Sequence, residues 1–494
     1  MVGEFDLDSN TRRRLGYYLM DRIDEYFTSL NDRAVQTPYE DRRFVYSPTP
    51  LPELGQDPDT VLAETFEHLD KHGFHIPSAH YLGLMNPTPT YVSVLAEAMV
   101  AALNPQLASV ERSAAASIIE AQTVNWMGQR VGWKTDFGGY FTTGGSEANT
   151  GALNLALAKA APGVLEQGLR SLSKSPVFYG SSESHHSLDK AAVAMGLGRN
   201  ALRRIRVNEC MQMDPLELEA EIVADLSRGK LPFCIVATAG TTNTGAIDDL
   251  AALAEIAKRY GLWLHADGAY GAAVLLSDKH RRVLDGIDLA DSVSIDPHKW
   301  LAMPFAAGIL LTTSPALLRR VFGTAAPYLR PSSYPTIEDN YQTSSQWSRR
   351  MNSLKLWMTL RVHGRRGYER MIDRQVDMAG NMSRWIEQSQ EFTLVAPQSL
   401  TAVAFQLNVP GMNVEELKEA NKAVVDLVNH NGQRWLSMTT VAGRSAIRMM
   451  VISYLTEERH LRELQAALRG AAKQVRASFA VDAHSEVHEL VGSY

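Results

Sequence analysis

Residues 262–271 read LWLHADGAYG, and they follow directly on LAALAEIAKRYG, residues 250–261. The earlier stretch has apolar residues at helical spacing and stops on Gly261, a common helix terminator. The later one is a short apolar run ending in an acid and a glycine, as a buried strand does. A helix leading at once into a strand is half of a βαβ unit. The alternation continues on both sides. Upstream, FGGYFTT (137–143) runs into GGSEANTGALNLALAKAA (144–161), where Ser146 is a natural helix N-cap, and PVFYGS (176–181) and PFCIVATAG (232–240) are strand candidates. Downstream, DSVSIDPHKW (291–300) and AAGILLTT (306–313) complete the series. The expected class is α/β, a mostly parallel central sheet with flanking helices and a site built at the carboxyl ends of the strands.

Around this centre the chain changes character. Residues 90–133 are mostly helical by apolar spacing, as in Ser113–Trp126. Residues 35–60, with Pro38, Pro48, Pro50, Pro52 and Pro58, read as an extended arm between helices near 8–30 and 59–72. Past about 380, LTAVAFQLN and SAIRMMVIS look like strands, and VEELKEANKAVVDLVNH and LTEERHLRELQAALRGAAKQV like helices. The expected division is an N-terminal helical and extended segment (1–90), a large α/β domain (91–380), a small α+β domain (381–480) and a loose tail (481–494).

Composition removes several function classes. The 494 residues carry 49 Lys+Arg against 55 Asp+Glu, a net charge of −6. That balance gives no reason to expect nucleic acid or an anionic membrane as partner. No apolar run approaches the roughly 18–20 residues of a membrane span, and the first residues carry acids and arginines where a signal peptide is apolar. Cys210 and Cys234 are the only cysteines, which excludes a disulfide framework and a cysteine-based zinc site. A cytoplasmic enzyme without a metal is the expectation.

Five features carry chemistry. Lys299 follows a strand among Pro297, His298 and Trp300; a lysine with apolar neighbours has a lowered pKa and becomes a nucleophilic amine suited to a Schiff base. By itself it reads first as a surface lysine at a loop. Asp267 ends a buried strand, where it can meet a ligand or cap a helix. Pyridoxal phosphate needs this pair, a lysine for its aldehyde and a carboxylate for its ring nitrogen. Gly144, Gly145 and Ser146 open a helix whose N-terminus suits a phosphate. The same residues resemble a degenerate nucleophile elbow, so a serine hydrolase is a rival reading. His185 and His186 follow a strand and could stack on a flat ring or cap a helix. Thr241 and Thr242 offer hydroxyls at another strand end, or form an ordinary turn.

Taken in order, these features resemble the pyridoxal-phosphate-dependent amino acid decarboxylases of group II, the aromatic-amino-acid, glutamate and histidine decarboxylase family. DPHKWL, HADGAYG, GGSEAN and ATAGTTNTG match in order and spacing, and the likeness runs from about 60 to 475. The resemblance implies fold-type I, a homodimer with its active site at the interface, residues 1–90 as a dimerisation segment, and an L-amino acid as substrate. It implies Lys299 as the Schiff-base lysine, Asp267 as the ring-nitrogen partner and His185 as the stacked histidine. It also implies Gly145 and Ser146 as the phosphate pair, Ala269 against the other ring face, Thr242 near the cofactor, and His298 preceding the lysine. Asp296 departs from the asparagine or serine common in eukaryotic members.

The resemblance extends to the reaction. The polar, Pro- and Ser-rich stretch 324–347 reads as a lid. Within it Tyr328 resembles the family's loop tyrosine, which returns a proton to Cα; related aldehyde synthases have phenylalanine there. Arg448 matches an arginine that binds substrate carboxylate in glutamate decarboxylases, or forms a structural ion pair. Tyr81, with Gln106 reaching in from the partner subunit, should line the side-chain pocket, and Ser348 falls where histidine decarboxylases tend to have serine. An unpaired buried polar group costs about 1–3 kcal/mol, so Gln106 and Ser348 argue mildly for a polar substrate side chain. Aromatic L-amino acids, histidine included, are the narrow first choice. A polar amino acid such as 2,4-diaminobutyrate, glutamate or aspartate is the alternative, and a carbon–carbon lyase or decarboxylating oxidase comes after it.

Overall fold

The structure, a computed structural model, describes residues 5–37, 49–324 and 337–491, with side chains as far as 479. Seven strands form the main sheet: β1 (Gly138–Thr142), β2 (Pro176–Ser181), β3 (Leu202–Ile205), β4 (Leu231–Thr238), β5 (Trp263–Asp267), β6 (Ser292–Ile295) and β7 (Gly308–Thr312). Their order is β1-β7-β6-β5-β4-β2-β3. Strands β2 to β6 pair in parallel. Only β7 runs the other way, antiparallel to both β6 and β1. Parallel neighbours need a crossover, usually a helix. The link from Ile295 to Gly308 has none, so the chain turns back on itself.

Successive residues of a strand face opposite sides of a sheet, and both sides here are covered. Trp263, Val236 and Leu310 pack with Ala152, Leu153 and Ala156 of the helix Gly145–Ala160. Their neighbours Leu264, Ile235 and Ile309 pack on the other side with Val124, Met127 and Trp300. A sheet buried on both faces explains why its strands read as continuous apolar runs. The helix Leu250–Tyr260 ends at Gly261, whose φ of +66° is the left-handed cap conformation that the glycine permits.

A second, antiparallel sheet contains β8 (Phe392–Leu394), β9 (Ala402–Leu407), β10 (Ser437–Val441) and β11 (Arg444–Met450), in the order β10-β11-β9-β8. Its core includes Phe405, Ile447, Val424 and Leu464. Leu82 and Met378 belong to the same core, so packing continues across 90/91 and 380/381, and we keep those boundaries as a proposal about folding units. The helix Ser353–Gln388 is interrupted at Gly364, φ +66°. The helices Ser9–Ser29 and Pro58–His72 match those expected near the N-terminus. The expected arm between them falls partly on residues 38–48, outside the described residues. The last helix, Glu458–Val491, takes in most of the stretch expected as a loose tail. Among the described residues no helix is long and apolar enough to cross a membrane.

Candidate active site at the strand ends

Each chemistry-bearing feature sits just beyond the carboxyl end of a strand. Gly145 and Ser146 follow β1, His185 follows β2, Thr242 follows β4, Asp267 closes β5 and Lys299 follows β6. These five strands point the same way, because β1 and β6 are both antiparallel to β7. One edge of the sheet therefore gathers them, and all line a single cavity of about 310 Å³, together with Ala269 and His298.

The cavity has a charged end. Lys299 Nζ lies 3.0 Å from Asp296 Oδ2, and His298 Nε2 lies 3.6 Å from the same oxygen. Asp296 Oδ1 is buried and has no hydrogen-bond partner among the described residues. His298 Nδ1 accepts from the Ala307 N–H at 3.0 Å, and burial lowers the ring's pKa. The Phe305 ring stands 4.8 Å from the His298 ring, at the cavity wall.

Asp267 is buried and accepts three hydrogen bonds: from Asn149 Nδ2 at 2.8 Å, Ser294 Oγ at 3.1 Å and the Ala269 N–H at 3.2 Å. Burial by itself would raise its pKa. Lys299, His265, the Asn149 bond and His185 outweigh it, so the carboxyl is held below its ordinary range. His185 opens its ring to the cavity, and its Nδ1 accepts from the Ser187 N–H at 3.1 Å. Burial, helped by Lys299, lowers its pKa against the pull of Asp267. A neutral imidazole that accepts at Nδ1 carries its proton on Nε2.

The mouth of the helix Gly145–Ala160 is shaped for close approach. Its N-cap is Gly144, φ +154°, which supplies no side-chain acceptor to the first turn. A Cβ on Gly144 would come within 2.9 Å of His298 Cε1, and one on Gly145 within 2.9 Å of the Ala269 methyl. Backbone N–H groups at such a mouth suit a phosphate. Glu147, in the first turn, accepts from Thr143, Ser345 and Gln346, tying this loop to the chain just beyond 337. A lysine, a buried ionised carboxylate, a phosphate-sized helix mouth and a flat neutral imidazole in one cavity fit pyridoxal phosphate.

The other expected residues lie around this cavity. Arg448 is buried beside it. Its Nη1 donates to the Thr242 carbonyl at 2.9 Å, and its Nε reaches the Gly83 carbonyl at 3.2 Å and Ser437 Oγ at 3.1 Å. Among the described residues no carboxylate pairs with it, so the structural ion pair is absent. Tyr81 does not line the cavity; it stacks on Trp435 at 5.0 Å. Gln106 Nε2 donates to Ser348 Oγ at 3.2 Å, and both are exposed on this chain. On this chain by itself they face outward and pair with each other. Tyr328 lies outside the described residues. No group of three or more His, Cys, Asp or Glu is arranged for a metal among the described residues. Asn149, His265 and Ser294 were not singled out from the sequence, because only the packing of helix on sheet brings them to Asp267.

A parallel-sheet site of this make-up defines a pyridoxal-phosphate enzyme of fold-type I. The model of the pyridoxal-dependent decarboxylase conserved domain matches residues 36–408. The chain is similar to an aromatic-L-amino-acid decarboxylase of Bacillus atrophaeus, 29% identical over 97% of this chain and 99% of that one. It is also similar to an L-2,4-diaminobutyrate decarboxylase of Acinetobacter baumannii, 31% identical over 81% of each. The crystal structure of mouse CSAD superposes with a TM-score of 0.87 at 26% identity, over 94% of this chain and 99% of that one. The chain belongs to the pyridoxal-dependent decarboxylase family: it is an amino acid decarboxylase, a carboxy-lyase that uses pyridoxal 5'-phosphate.

Proposed function

We propose that this chain decarboxylates an aromatic L-amino acid, histidine included, to the amine and carbon dioxide, acting as a cytoplasmic homodimer. The observation that carries the reading is the single cavity in which Lys299 and Asp267 meet below the mouth of the helix Gly145–Ala160. When bound, pyridoxal phosphate supplies an electron sink for the pair released from the Cα–carboxylate bond.

The chain's own residues would do the rest. Lys299 would hold the cofactor through its amine, at the charged end of the cavity beside Asp296. Gly145 and Ser146 take the phosphate, with Thr242 and His298 alongside. Asp267 keeps a proton on the ring nitrogen. His185 and Ala269, both on the cavity wall, would hold the ring between them. Arg448, a buried cation with no carboxylate partner among the described residues, would take the substrate carboxylate and so orient the substrate. Tyr328 would return the proton to Cα. Gln106 and Ser348, exposed on this chain, would face the partner's cavity, with Tyr81 bordering the substrate side beyond Arg448.

The aromatic reading draws support from a relative matched over nearly its whole length. The diaminobutyrate relative, at slightly higher identity over less of the chain, favours a polar amino acid as second reading. Carbon dioxide release from a panel of all L-amino acids plus diaminobutyrate, DOPA and cysteine sulfinate separates them. Turnover of one aromatic substrate is expected. Turnover of diaminobutyrate or an acidic amino acid alone would overturn the aromatic reading. Consumption of substrate without carbon dioxide would point to a carbon–carbon lyase, and oxygen uptake with aldehyde formation to a decarboxylating oxidase.

A further inference from the structure

Behind Asp267 lies a buried chain of polar groups that the reaction as described does not use. His265 and Asp267 are two apart on β5, so both side chains face the helix Gly145–Ala160. In register beside them on β6 stand Ser292, opposite His265, and Ser294, opposite Asp267. Asn149, on that helix, closes the group from above. Trp263 Nε1 donates to Ser292 Oγ at 2.8 Å, and Ser292 Oγ is 2.8 Å from His265 Nδ1. His265 Nε2 is 3.0 Å from Asn149 Oδ1, and Asn149 Nδ2 donates to Asp267 Oδ2 at 2.8 Å and to Ser187 Oγ at 3.1 Å. His265, Asn149 and Ser292 are 1% exposed or less.

The chemistry of the groups fixes the direction of the bonds from Asp267 to His265, and burial fixes the one beyond it. An ionised carboxylate only accepts, so Asn149 must turn its NH2 to Asp267. Its carbonyl oxygen then faces His265 and accepts, so His265 must carry its proton on Nε2. Indole N–H only donates, so Ser292 accepts from Trp263 and has its own hydrogen free for His265 Nδ1. That hydrogen finds a lone pair at Nδ1 when the ring is neutral. Ser292 Oγ has two lone pairs and would equally accept from a protonated Nδ1, so burial decides: it pushes the His265 pKa down to about 4 against the opposing pull of Asp267 and the Ser292 backbone, which makes the ring neutral. The acceptor count at Asp267 follows. Of about four lone-pair sites on a carboxylate, Ser294 and the Ala269 N–H occupy those on Oδ1, and Asn149 occupies one on Oδ2. The site left over is on Oδ2.

We propose that His265 and Asn149 are positioning residues for the decarboxylation: the neutral Nε2–H imidazole locks the Asn149 amide so that it donates to Asp267, leaving one acceptor site on Oδ2 for the cofactor's ring nitrogen. This rests on the reading of Asp267 as the ring-nitrogen partner. Without the imidazole the Asn149 amide can rotate and present its oxygen to the carboxylate. Asp267 then loses a donor, and its hold on a ring-nitrogen proton changes.

The test has two parts. In cofactor-free protein with 15N-labelled histidine, long-range 1H–15N spectra should show His265 as the neutral Nε2–H tautomer, unchanged from pH 5.5 to 8.5. The titratable neighbours to be watched as controls are Asp267, Lys299 and His185. A proton on Nδ1, or titration within that range, would overturn the proposal even if no variant folds. In the second part, pyridoxal phosphate affinity and the pH profile of the bound cofactor's visible band are measured. The variants are His265→Leu, Asn149→Leu, the conservative His265→Gln and Asp267→Asn. His265→Leu and Asn149→Leu should weaken cofactor binding about ten- to a hundredfold, the range of a lost bond to a charged group, and should shift the pH profile. His265→Gln, whose amide can donate to Asn149 and accept from Ser292, should restore both to within about threefold. If Asp267→Asn alters affinity and profile while His265→Leu and Asn149→Leu match the parent, the proposal fails and the reading of Asp267 stands. If Asp267→Asn itself matches the parent, that reading fails.

Discussion

Replacing Arg448 by methionine sets two opposing costs against each other on the protein side and leaves one uncancelled on the substrate side. Arg448 is 6% exposed and makes three hydrogen bonds, at 3.2, 3.1 and 2.9 Å, all to neutral acceptors. The donor is ionised, so at about 1.5–3 kcal/mol for each their loss costs about 4–9 kcal/mol. Burying a cation with no carboxylate partner among the described residues itself costs several kcal/mol, which the apolar methionine relieves. The relief offsets much of the loss, so stability should fall by about 2–4 kcal/mol. A substrate carboxylate against the guanidinium is charge-assisted and contributes about 1.5–3 kcal/mol. Its loss has nothing to offset it and lowers kcat/KM about 10- to 150-fold. Steady-state kinetics beside a denaturant titration reads both quantities. Arg448→Lys, which keeps the charge but not the planar fork, should fall between parent and methionine. The reasoning is refuted if Arg448→Met unfolds readily while its folded fraction keeps the parent's kcat/KM; Arg448 would then be a prop between Gly83 and Thr242.

Glu120 and Arg349 form a 2.6 Å ion pair in which both side chains are 3% exposed or less. Glu120→Gln should cost about 3–5 kcal/mol in a denaturant titration by leaving the arginine uncompensated. The double variant Glu120→Leu/Arg349→Met should recover most of that, and an equal loss in both would contradict the pairing. The pH dependence of stability has a definite sign at His265. Its folded pKa, about 4, lies below the ordinary 6.5, so between these values the unfolded chain binds more protons. Stability is therefore full above about pH 6.5 and falls as pH drops toward 4, by up to about 3 kcal/mol from this group. His265→Gln should flatten that part of the curve, and an unchanged slope would count against a buried neutral imidazole.

Most of the main sheet can be read directly because its strands are buried on both faces and so appear as apolar runs with clear stops. Strand β3 escapes this reading: two of its four residues, Arg203 and Arg204, are charged and held by Asp225 and Asp189. Strands β8 and β10 are short and half-polar, and show too little period. The helix Pro215–Ser227 carried a legible start in Asp214 and Pro215 that went unused. At the site, Lys299 and Asp267 stand out because ionisable residues at the ends of apolar runs are unusual. Asn149 and His265 do not, since their meaning depends on the β5–β6 register and on a helix more than a hundred positions away in sequence. Gln106 and Ser348 were named for one polar environment and do meet, but as partners of each other. Tyr81, expected along the side-chain pocket, stacks its ring on Trp435, a contact that depends on a residue more than three hundred positions away.

The central claim is that Lys299 binds pyridoxal phosphate in the cavity it shares with Asp267. The absorbance spectrum of the purified protein, supplied with the cofactor and then treated with borohydride, tests it most directly. The account predicts a visible band that borohydride abolishes and that Lys299→Ala never forms. No band in the parent after the cofactor is added, or an undiminished band in Lys299→Ala, would contradict it.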